Sequence, residues 1–168
     1  MNYIHAYDSP FGRILLSADE NALTSLCFEG AKYAPSLPAS PAYAGDSPVI
    51  DAATRWLDVY FSGHEPGFSV PLSLKGTPFQ QAVWQILQSI PYGKTATYAQ
   101  IAAQLAGPSG RMSAQAVGGA VGRNPVSILV PCHRVIGANG SLTGYAGGID
   151  RKTRLLVLEG VLPPSALV

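Results

Sequence analysis

Two stretches with the same capping pattern constrain the fold of the second half of the chain. Thr77-Pro78-Phe79-Gln80 and Thr97-Tyr98-Ala99-Gln100 each place a Thr three residues before a Gln. This spacing is typical of a helix N-terminus at which the two side chains cap backbone N–H groups. Apolar residues at helical spacing follow each cap, and Ser113 can cap a third helix over 114–121. Two short helices joined by a Gly-containing turn predict a helix-turn-helix.

The first half has the composition of a β-meander followed by one helix. Strand-like segments occur at 2–7, 12–18 and 22–28. An apolar stripe over 49–62 predicts a helix that ends at Gly63. Residues 30–48 are rich in Ala, Pro and Ser and predict a loop, whereas the Pro- and Gly-containing segment 64–76 predicts a connection between domains.

These segments predict a mixed α/β (α+β) chain of two domains, with an N-terminal α/β domain at 1–76 and a mainly helical domain at 77–168. The length of 168 residues and the hydrophobic content of 47% are sufficient for a core. Residues 1–76 contain four Lys or Arg against eight Asp or Glu, and residues 77–168 contain seven against two. The basic second half favours a polyanionic partner.

Histidine, cysteine and N-terminal patterns exclude several classes of protein. His5, His64 and His133 show no metal-ligand spacing, so no metal site is predicted. Cys27 and Cys132 are too few and too far apart for a disulfide framework, which favours a reducing cytoplasm. Residues 1–16 are interrupted by charged side chains and a proline, so they predict neither a signal peptide nor a membrane span.

The candidate reactive group is the thiol of Cys132. The apolar run 127–130 predicts a strand that holds the thiol at its end, and Pro131 favours an exit from the sheet. His133 and Arg134 could lower the thiol pKa below its ordinary value of about 8.5. A Cys beside an apolar run is also typical of a buried core residue. Adjacent strand side chains point to opposite faces, so His133 would reach the sulfur only across a turn or through a water.

The predicted third helix has almost no side-chain bulk. It contains the adjacent glycines Gly118 and Gly119, and glycine costs roughly 1 kcal/mol per residue relative to alanine in a helix. A helix of this kind accommodates a close approach to its backbone, either by another helix or by a nucleic acid groove. The sequence leaves both open. Arg111 and Arg123 flank the helix and are candidates for phosphate contacts.

The segment Pro131-Cys132-His133-Arg134-Val135-Ile136 resembles the active-site motif of the 6-O-alkylguanine-DNA alkyltransferases, the methylated-DNA–protein-cysteine methyltransferases. Further family-like blocks follow in family order: Thr77-Pro78-Phe79, Ile90-Pro91-Tyr92-Gly93, Thr97-Tyr98, Ala116-Val117-Gly118-Gly119-Ala120, Asn124-Pro125, Gly144-Tyr145-Ala146-Gly147-Gly148 and Leu158-Glu159-Gly160. The resemblance is close over 77–160. It implies a ribonuclease-H-like N-terminal domain and a winged-helix-like helix-turn-helix in the C-terminal domain.

The resemblance also implies an activity, direct-reversal DNA repair by a monomer that needs no cofactor. A 6-O-alkylguanine rotated out of double-stranded DNA would give its alkyl group to Cys132, and each molecule would act once. His133 would take the thiol proton through a water, Glu159 would orient the imidazole, and the Tyr98 hydroxyl would assist the departing guanine. Activity on 4-O-alkylthymine is left open.

Further roles follow from the same resemblance. The Cys132 and Val135 backbone would read the base edge, Asn124 would brace the Cys turn, and a loop would cover the pocket. The loop residues are Tyr145, Ala146, Gly147 and Gly148. The expected DNA contacts are Thr97, Gln115, Ala116, Gly118, Gly119, Arg111, Arg123 and Arg134. Arg134 is either structural or a phosphate contact.

Gln115 and Glu159 are unusual residues for the positions that they occupy. Gln115 stands where many members of the family carry an intercalating Arg, so the way in which the guanine is held out of the duplex is left open. The last helix is expected to begin with Asp150 as its N-cap and to end at Glu159. The macrodipole disfavours a carboxylate there by roughly 0.3–1 kcal/mol, which pairing with an imidazole would offset.

Two other classes of protein share part of this pattern. A non-catalytic lesion-binding protein would have the same helices without a Cys in the motif. A Cys–His thiol enzyme or redox sensor would not require the small-residue helix or Tyr98.

Overall fold

The computed structural model describes residues 2–32, 47–107, 110, 112–142 and 144–167. Three strands open the chain: β1 Tyr3–Ser9, β2 Gly12–Ala18 and β3 Leu23–Phe28. The elements that follow are α1 Pro48–Phe61, α2 Pro78–Gln88, β4 Ala96–Thr97, α3 Tyr98–Ala106, α4 Ala114–Gly122, a 3₁₀ turn Cys132–Arg134, β5 Val135–Ile136, α5 Ile149–Leu158 and a 3₁₀ turn Pro164–Ala166. The predicted α/β fold class is confirmed. Most of the predicted loop at 30–48, and Arg111, lie outside the described residues.

The first three strands form the predicted antiparallel meander in the order β1-β2-β3. The outer edge of β3 is covered by two segments from later in the chain. Leu23 exchanges backbone hydrogen bonds with Pro71 and Ser73, and Leu26 exchanges them with Pro125 and Ser127. These bonds satisfy the edge of the sheet and attach the segment that leads to Cys132 to the N-terminal sheet.

Helix α1 packs against the meander and begins and ends within one residue of its predicted bounds. The Ser47 side chain accepts a hydrogen bond from the Ile50 N–H at 3.2 Å, and Pro48 occupies the first turn. Ala53, Leu57 and Tyr60 are fully buried on its inner face. A large apolar side chain buried in this way contributes roughly 1.5–3 kcal/mol.

Both predicted capping boxes are present. The Thr77 and Gln80 side chains accept each other's backbone N–H at 3.1 and 3.0 Å, and Thr97 and Gln100 do the same at 3.0 and 2.8 Å. Helices α2, α3 and α4 pack together, and the buried Trp84 indole N–H donates to the Ala120 carbonyl at 2.8 Å. That bond fixes the position of α4 in the second half of the chain.

The predicted N-cap of the last helix is wrong. Helix α5 begins at Ile149 after Gly148, because the Lys152 N–H donates to the Gly148 carbonyl and Asp150 lies inside the first turn. The Asp150 carboxylate instead pairs with Arg154 at 3.0 Å, one helical turn later. Within the described ranges, no helix is long and apolar enough to cross a membrane.

Candidate active site

The segment that leads to Cys132 is not the strand predicted from its apolar composition. The Ser127 carbonyl accepts the Leu129 N–H at 2.8 Å around Ile128, whose φ is +72°. A γ-turn of this hand is rare and strained, and a non-glycine residue in this region costs about 1–3 kcal/mol. The Val130 carbonyl then accepts the Cys132 N–H at 2.8 Å around Pro131. The apolar side chains are explained by burial inside the protein, with Ile128 and Val130 at most 1% exposed.

Asn124 holds these turns in place from the end of α4. Its side-chain amide donates to the Val130 carbonyl at 2.7 Å, and its side-chain oxygen accepts the Val126 N–H at 3.0 Å. A hydrogen bond from the Asn124 side chain also lowers the pKa of the Cys132 thiol. The family resemblance implied that Asn124 braces the Cys turn, and this role stays a prediction that these hydrogen bonds support.

The Cys132 thiol lies at the start of the 3₁₀ turn and is 5% exposed. Burial raises its pKa, and this effect outweighs the opposing contributions of Asn124 and of the Lys152 charge. A thiol in this environment stays protonated until a base removes the proton. The site therefore needs a proton acceptor close to the sulfur.

His133 is the imidazole of this site, and Glu159 fixes its orientation. Nε2 lies 2.5 Å from Oε2 of Glu159, and neither side chain is exposed to solvent. The carboxylate can only accept, so the ring hydrogen is assigned to Nε2, and Nδ1 keeps its lone pair. Nδ1 has no hydrogen-bond partner among the described residues. Burial, followed by the positive charges of Arg134 and Lys152, lowers the pKa of His133 against the pull of Glu159.

Arg134 belongs to the interior, which corrects its grouping with the expected DNA contacts. Its Nε donates to Oε1 of Glu159 at 2.8 Å, and its Nη1 donates to the Ile90 carbonyl at 2.7 Å. The residue is 8% exposed. Of the two roles left open by the sequence, the structural one fits these contacts.

Glu159 is held ionised by its neighbours. Burial by itself raises its pKa, but the hydrogen bonds and charges of His133 and Arg134 outweigh burial and lower the pKa to about 2. The Gly93 N–H also donates to Oε1, at 3.1 Å. The Glu159 carboxylate, at the C-terminal end of α5, therefore receives hydrogen bonds from the turn that follows α2 and from the 3₁₀ turn Cys132–Arg134.

Lys152 is a site residue that the sequence analysis missed. It is fully buried, its Nζ donates to the Val135 carbonyl at 2.5 Å, and burial lowers its pKa to about 8 against the influence of Cys132. Val135 in turn donates its N–H to the Cys132 carbonyl, so the lysine supports the end of the Cys turn. The signal was present, because Lys152 lies on the same face of α5 as the buried Leu155 and Leu156.

The small residues of α4 form an open surface. A Cβ added to Gly119 would meet nothing within 4 Å, and one added to Gly118 would meet only the Tyr98 ring, at 3.7 Å. Close packing on another helix therefore does not explain these glycines. Gln115 and Ala116 are exposed on the same helix.

Two cavities flank this surface and share Gly118 and Gly144. One, of about 400 Å³, is lined by Lys32, Gly118, Gly119, Gly122, Arg123, Gly144, Tyr145 and Ala146. The other, of about 390 Å³, is lined by Tyr98, Ala114, Gln115, Gly118 and Gly144. Lys32 and Arg123 give the first cavity a basic rim.

Tyr98 and the loop 144–148 lie together between α4 and the thiol. A Cβ on Gly144, whose φ is +95°, would lie 3.0 Å from the Tyr98 hydroxyl. Burial, and then the nearby Cys132, raise the pKa of Tyr98. The loop is attached to the N-terminal half by a hydrogen bond from the Lys32 N–H to the Ala146 carbonyl at 3.1 Å. Thr97, also an expected DNA contact, caps α3 and pairs with Ile136 in the two-stranded β4–β5 sheet.

The fold and the site define a protein with a buried thiol, a buried imidazole–carboxylate pair and an open helix of small residues. Residues 2–74 match the ribonuclease-like domain of 6-O-methylguanine DNA methyltransferase, and residues 78–161 match its DNA binding domain. The chain belongs to the 6-O-methylguanine DNA methyltransferase family.

Similar proteins carry a consistent name. The methylated-DNA–protein-cysteine methyltransferase of Methanosarcina acetivorans is 46% identical over 94% of this chain and 98% of its own length. The Mycobacterium tuberculosis protein of the same name is 44% identical over 99% of this chain and 98% of its own. The crystal structure of Mycobacterium tuberculosis OGT in complex with DNA superposes with a TM-score of 0.82 and 44% identity, covering 98% of this chain and 97% of that one.

Proposed function

We propose that this protein is an enzyme that repairs alkylated DNA directly, by moving the alkyl group of a 6-O-alkylguanine to Cys132. The observation that carries the proposal is the buried His133–Glu159 pair, which leaves the Nδ1 lone pair of His133 without a partner among the described residues, in the same 3₁₀ turn as Cys132. The names of the relatives support DNA as the partner and methyl transfer to cysteine as the reaction.

The reaction is a single displacement. A water-relayed proton transfer to Nδ1 of His133 converts the Cys132 thiol to the thiolate. The sulfur forms a bond to the alkyl carbon while the bond from that carbon to the guanine oxygen breaks, and the electron pair stays on the base. In the proposal the Tyr98 hydroxyl donates a proton to the departing guanine, and the proton taken up by His133 returns through solvent to Tyr98, so that the protons balance. The thioether does not hydrolyse readily, so each molecule acts once. No cofactor takes part, because the alkyl group is the only group that is transferred.

In the proposal, the loop 144–148 moves to give the base access to the thiol. Cys132 is 5% exposed, and Tyr145 of this loop is 9% exposed. Gly144 and Gly148 have φ of +95° and +97°, so glycine flanks Tyr145 and Ala146 at both ends. Glycine tolerates the backbone rotation that a hinge needs. In the proposed mechanism the loop opens for the flipped guanine and closes over it, while the Cys132 and Val135 backbone reads the base edge.

The DNA duplex is proposed to lie along the exposed face of α4. In this proposal Gly118 and Gly119 let a groove approach the helix backbone, and Gln115, which lines the cavity beside Tyr98, enters the space left by the flipped base. Arg123, which lines the cavity at the other end of the helix, is proposed to contact a phosphate. In this proposal the division into domains falls near residue 76, and a cytoplasmic monomer acts in a reducing environment that keeps Cys132 as a thiol.

The proposal is tested with a duplex that carries 6-O-methylguanine labelled in the methyl group. We expect one equivalent of label per protein molecule, located on Cys132 after proteolysis. Cys132→Ser should accept no label, whereas Cys27→Ser should accept as much as the wild type. Tight binding without transfer would indicate a lesion-binding protein, and turnover beyond one equivalent would indicate a thiol enzyme of another kind. Either outcome rejects the proposal.

A further inference from the structure

Tyr60 lies in α1, in the part of the chain that matches the ribonuclease-like domain, yet its hydroxyl is inside the candidate active site. The hydroxyl donates to Oε2 of Glu159 at 2.6 Å and lies 3.4 Å from Nε2 of His133. The tyrosine is fully buried, and its ring meets the imidazole edge-on at 6.4 Å between centroids. A residue from the first half of the chain therefore touches both members of the imidazole–carboxylate pair.

The oxygen that orients His133 is shared among several donors. Oε1 of Glu159 accepts from Arg134 Nε and from the Gly93 N–H. Oε2 accepts from His133 Nε2, from Tyr60 and, at 3.2 Å, from Arg134 Nη2. A carboxylate offers about four lone-pair sites, so the Tyr60 hydroxyl competes with the imidazole for the same oxygen. The strength of the His133–Glu159 hydrogen bond therefore depends on Tyr60.

We propose that Tyr60 is a positioning residue by which the N-terminal domain sets the strength of the Glu159–His133 hydrogen bond. The inference rests on the proposed function. A hydroxyl that donates to Oε2 takes up part of its negative charge, so Oε2 holds the imidazolium form of His133 less firmly. Nδ1 then stays unprotonated at neutral pH and available to accept the thiol proton.

The simpler interpretation is that Tyr60 only fills space. Its ring stacks on Trp56 at 5.4 Å and meets Phe61 edge-on at 5.3 Å, so the ring does contribute to packing. A phenylalanine would preserve these contacts. The buried hydroxyl, in contrast, is bonded only within the active site among the contacts described here, which favours a role beyond packing.

Tyr92 offers a matched control. It meets the Tyr60 ring edge-on at 6.2 Å and lies under the Arg134 guanidinium at 5.7 Å. Its buried hydroxyl has no hydrogen-bond partner among the described residues. Tyr60→Phe and Tyr92→Phe each remove one hydroxyl group from this pair of aromatic rings, but only Tyr60→Phe removes a hydrogen bond to Glu159.

The experiment measures the first-order rate of methyl transfer at saturating 6-O-methylguanine duplex, from pH 5 to pH 9, for wild type and both variants. For Tyr60→Phe we expect a rate about tenfold lower at pH 7 and an acid limb displaced to higher pH, with unchanged half-saturating DNA concentration. Tyr92→Phe should match the wild type. The other groups facing this pair, Arg134, Lys152 and Cys132, are the same in all three proteins.

The outcomes separate this inference from the proposed function. If the wild type transfers no methyl group, the proposed function fails. If the wild type transfers and Tyr60→Phe has the same rate and pH profile, the inference on Tyr60 fails alone. If Tyr60→Phe does not fold, the inference is tested with 3-fluorotyrosine at position 60. Its hydroxyl is a stronger hydrogen-bond donor, and its ring has nearly the same shape as that of tyrosine. It should displace the acid limb to lower pH, and an unchanged limb overturns the inference.

Discussion

Oε2 of Glu159 lies 2.5 Å from Nε2 of His133, in a pocket that leaves both side chains without solvent exposure. Glu159 is also the C-cap of α5, where the helix macrodipole opposes a carboxylate by roughly 0.3–1 kcal/mol. Hydrogen bonds from a charged donor such as Arg134 contribute about 1.5–3 kcal/mol each and exceed that penalty. The position of this carboxylate is therefore explained by its partners.

Glu159→Gln should lower both activity and stability. The amide keeps the shape but leaves Arg134 as a buried cation without its counter-charge, a loss that typically destabilises a protein by about 3–5 kcal/mol. The methyl-transfer rate should fall because the Gln amide can donate to Nε2 as well as accept from it, so the tautomer that leaves the Nδ1 lone pair free is no longer fixed. Urea unfolding and the labelled-duplex assay measure the two effects. A variant with the wild-type transfer rate would contradict the orienting role of Glu159.

The same carboxylate predicts a loss of stability in acid. Its pKa in the folded protein, about 2, lies below the ordinary value of 4.5, so the ionised form stabilises the fold above pH 4.5. This contribution is lost as the pH falls from 4.5 towards 2. The difference in unfolding free energy between wild type and Glu159→Gln should therefore shrink over that interval. A difference that stays constant with pH would show that Glu159 does not titrate as described.

Lys152→Met should remove a rise in the free energy of unfolding that occurs with increasing pH in the alkaline range. Burial lowers the pKa of Lys152 from 10.5 to about 8, so between these values the unfolded chain binds a proton that the folded protein has released. Stability contributed by this group consequently rises with pH from 8 to 10.5, by about 2 kcal/mol between pH 7.5 and 10. Unfolding free energies of both proteins at these two pH values check the prediction, and equal pH slopes would reject it.

Gln115→Arg should strengthen DNA binding. Gln115 is exposed at the start of α4, and an arginine there would add one cation to the proposed interface. One further phosphate contact increases the slope of log affinity against log salt by about 0.9. Binding titrations from 50 to 300 mM salt measure the slope. Gln85→Arg, on the exposed side of α2, is the control for net charge, and an equal change in both variants would argue against an interface at α4.

Gly119→Ala should separate stability from DNA binding. Its Cβ would meet nothing within 4 Å in the protein, and alanine favours a helix over glycine by about 1 kcal/mol. Unfolding free energy should therefore rise by up to that amount, whereas affinity for duplex DNA should fall because a methyl group enters the proposed contact. Gly67→Ala, also without neighbours within 4 Å, should leave affinity unchanged. Unchanged affinity in Gly119→Ala would place the duplex elsewhere.

Sequence patterns were sufficient to predict interactions between residues that are close together in the chain. The capping boxes at Thr77 and Thr97 join residues three positions apart, so their spacing in the sequence predicts them directly. The strand predicted over 127–130 failed because an apolar run is equally compatible with a buried irregular segment, and the hydrogen bonds from Asn124 decide between them. The motif at Cys132 predicted the reactive group, but not the strained turn at Ile128.

The sequence by itself determined the order of the strands and helices, the bulk missing from α4 and the chemical identity of the thiol, imidazole and carboxylate. The first two follow from periodicity, capping and residue type, which are readable within a few positions, whereas the grouping of Cys132, His133 and Glu159 came from the resemblance of the motifs to a known family. Only the tertiary structure decided that Arg134 is internal, that Lys152 supports the Cys turn and that Tyr60 reaches Glu159 across 99 positions of the chain. Contacts between residues so far apart depend on how the helices pack, and no local pattern carries that information.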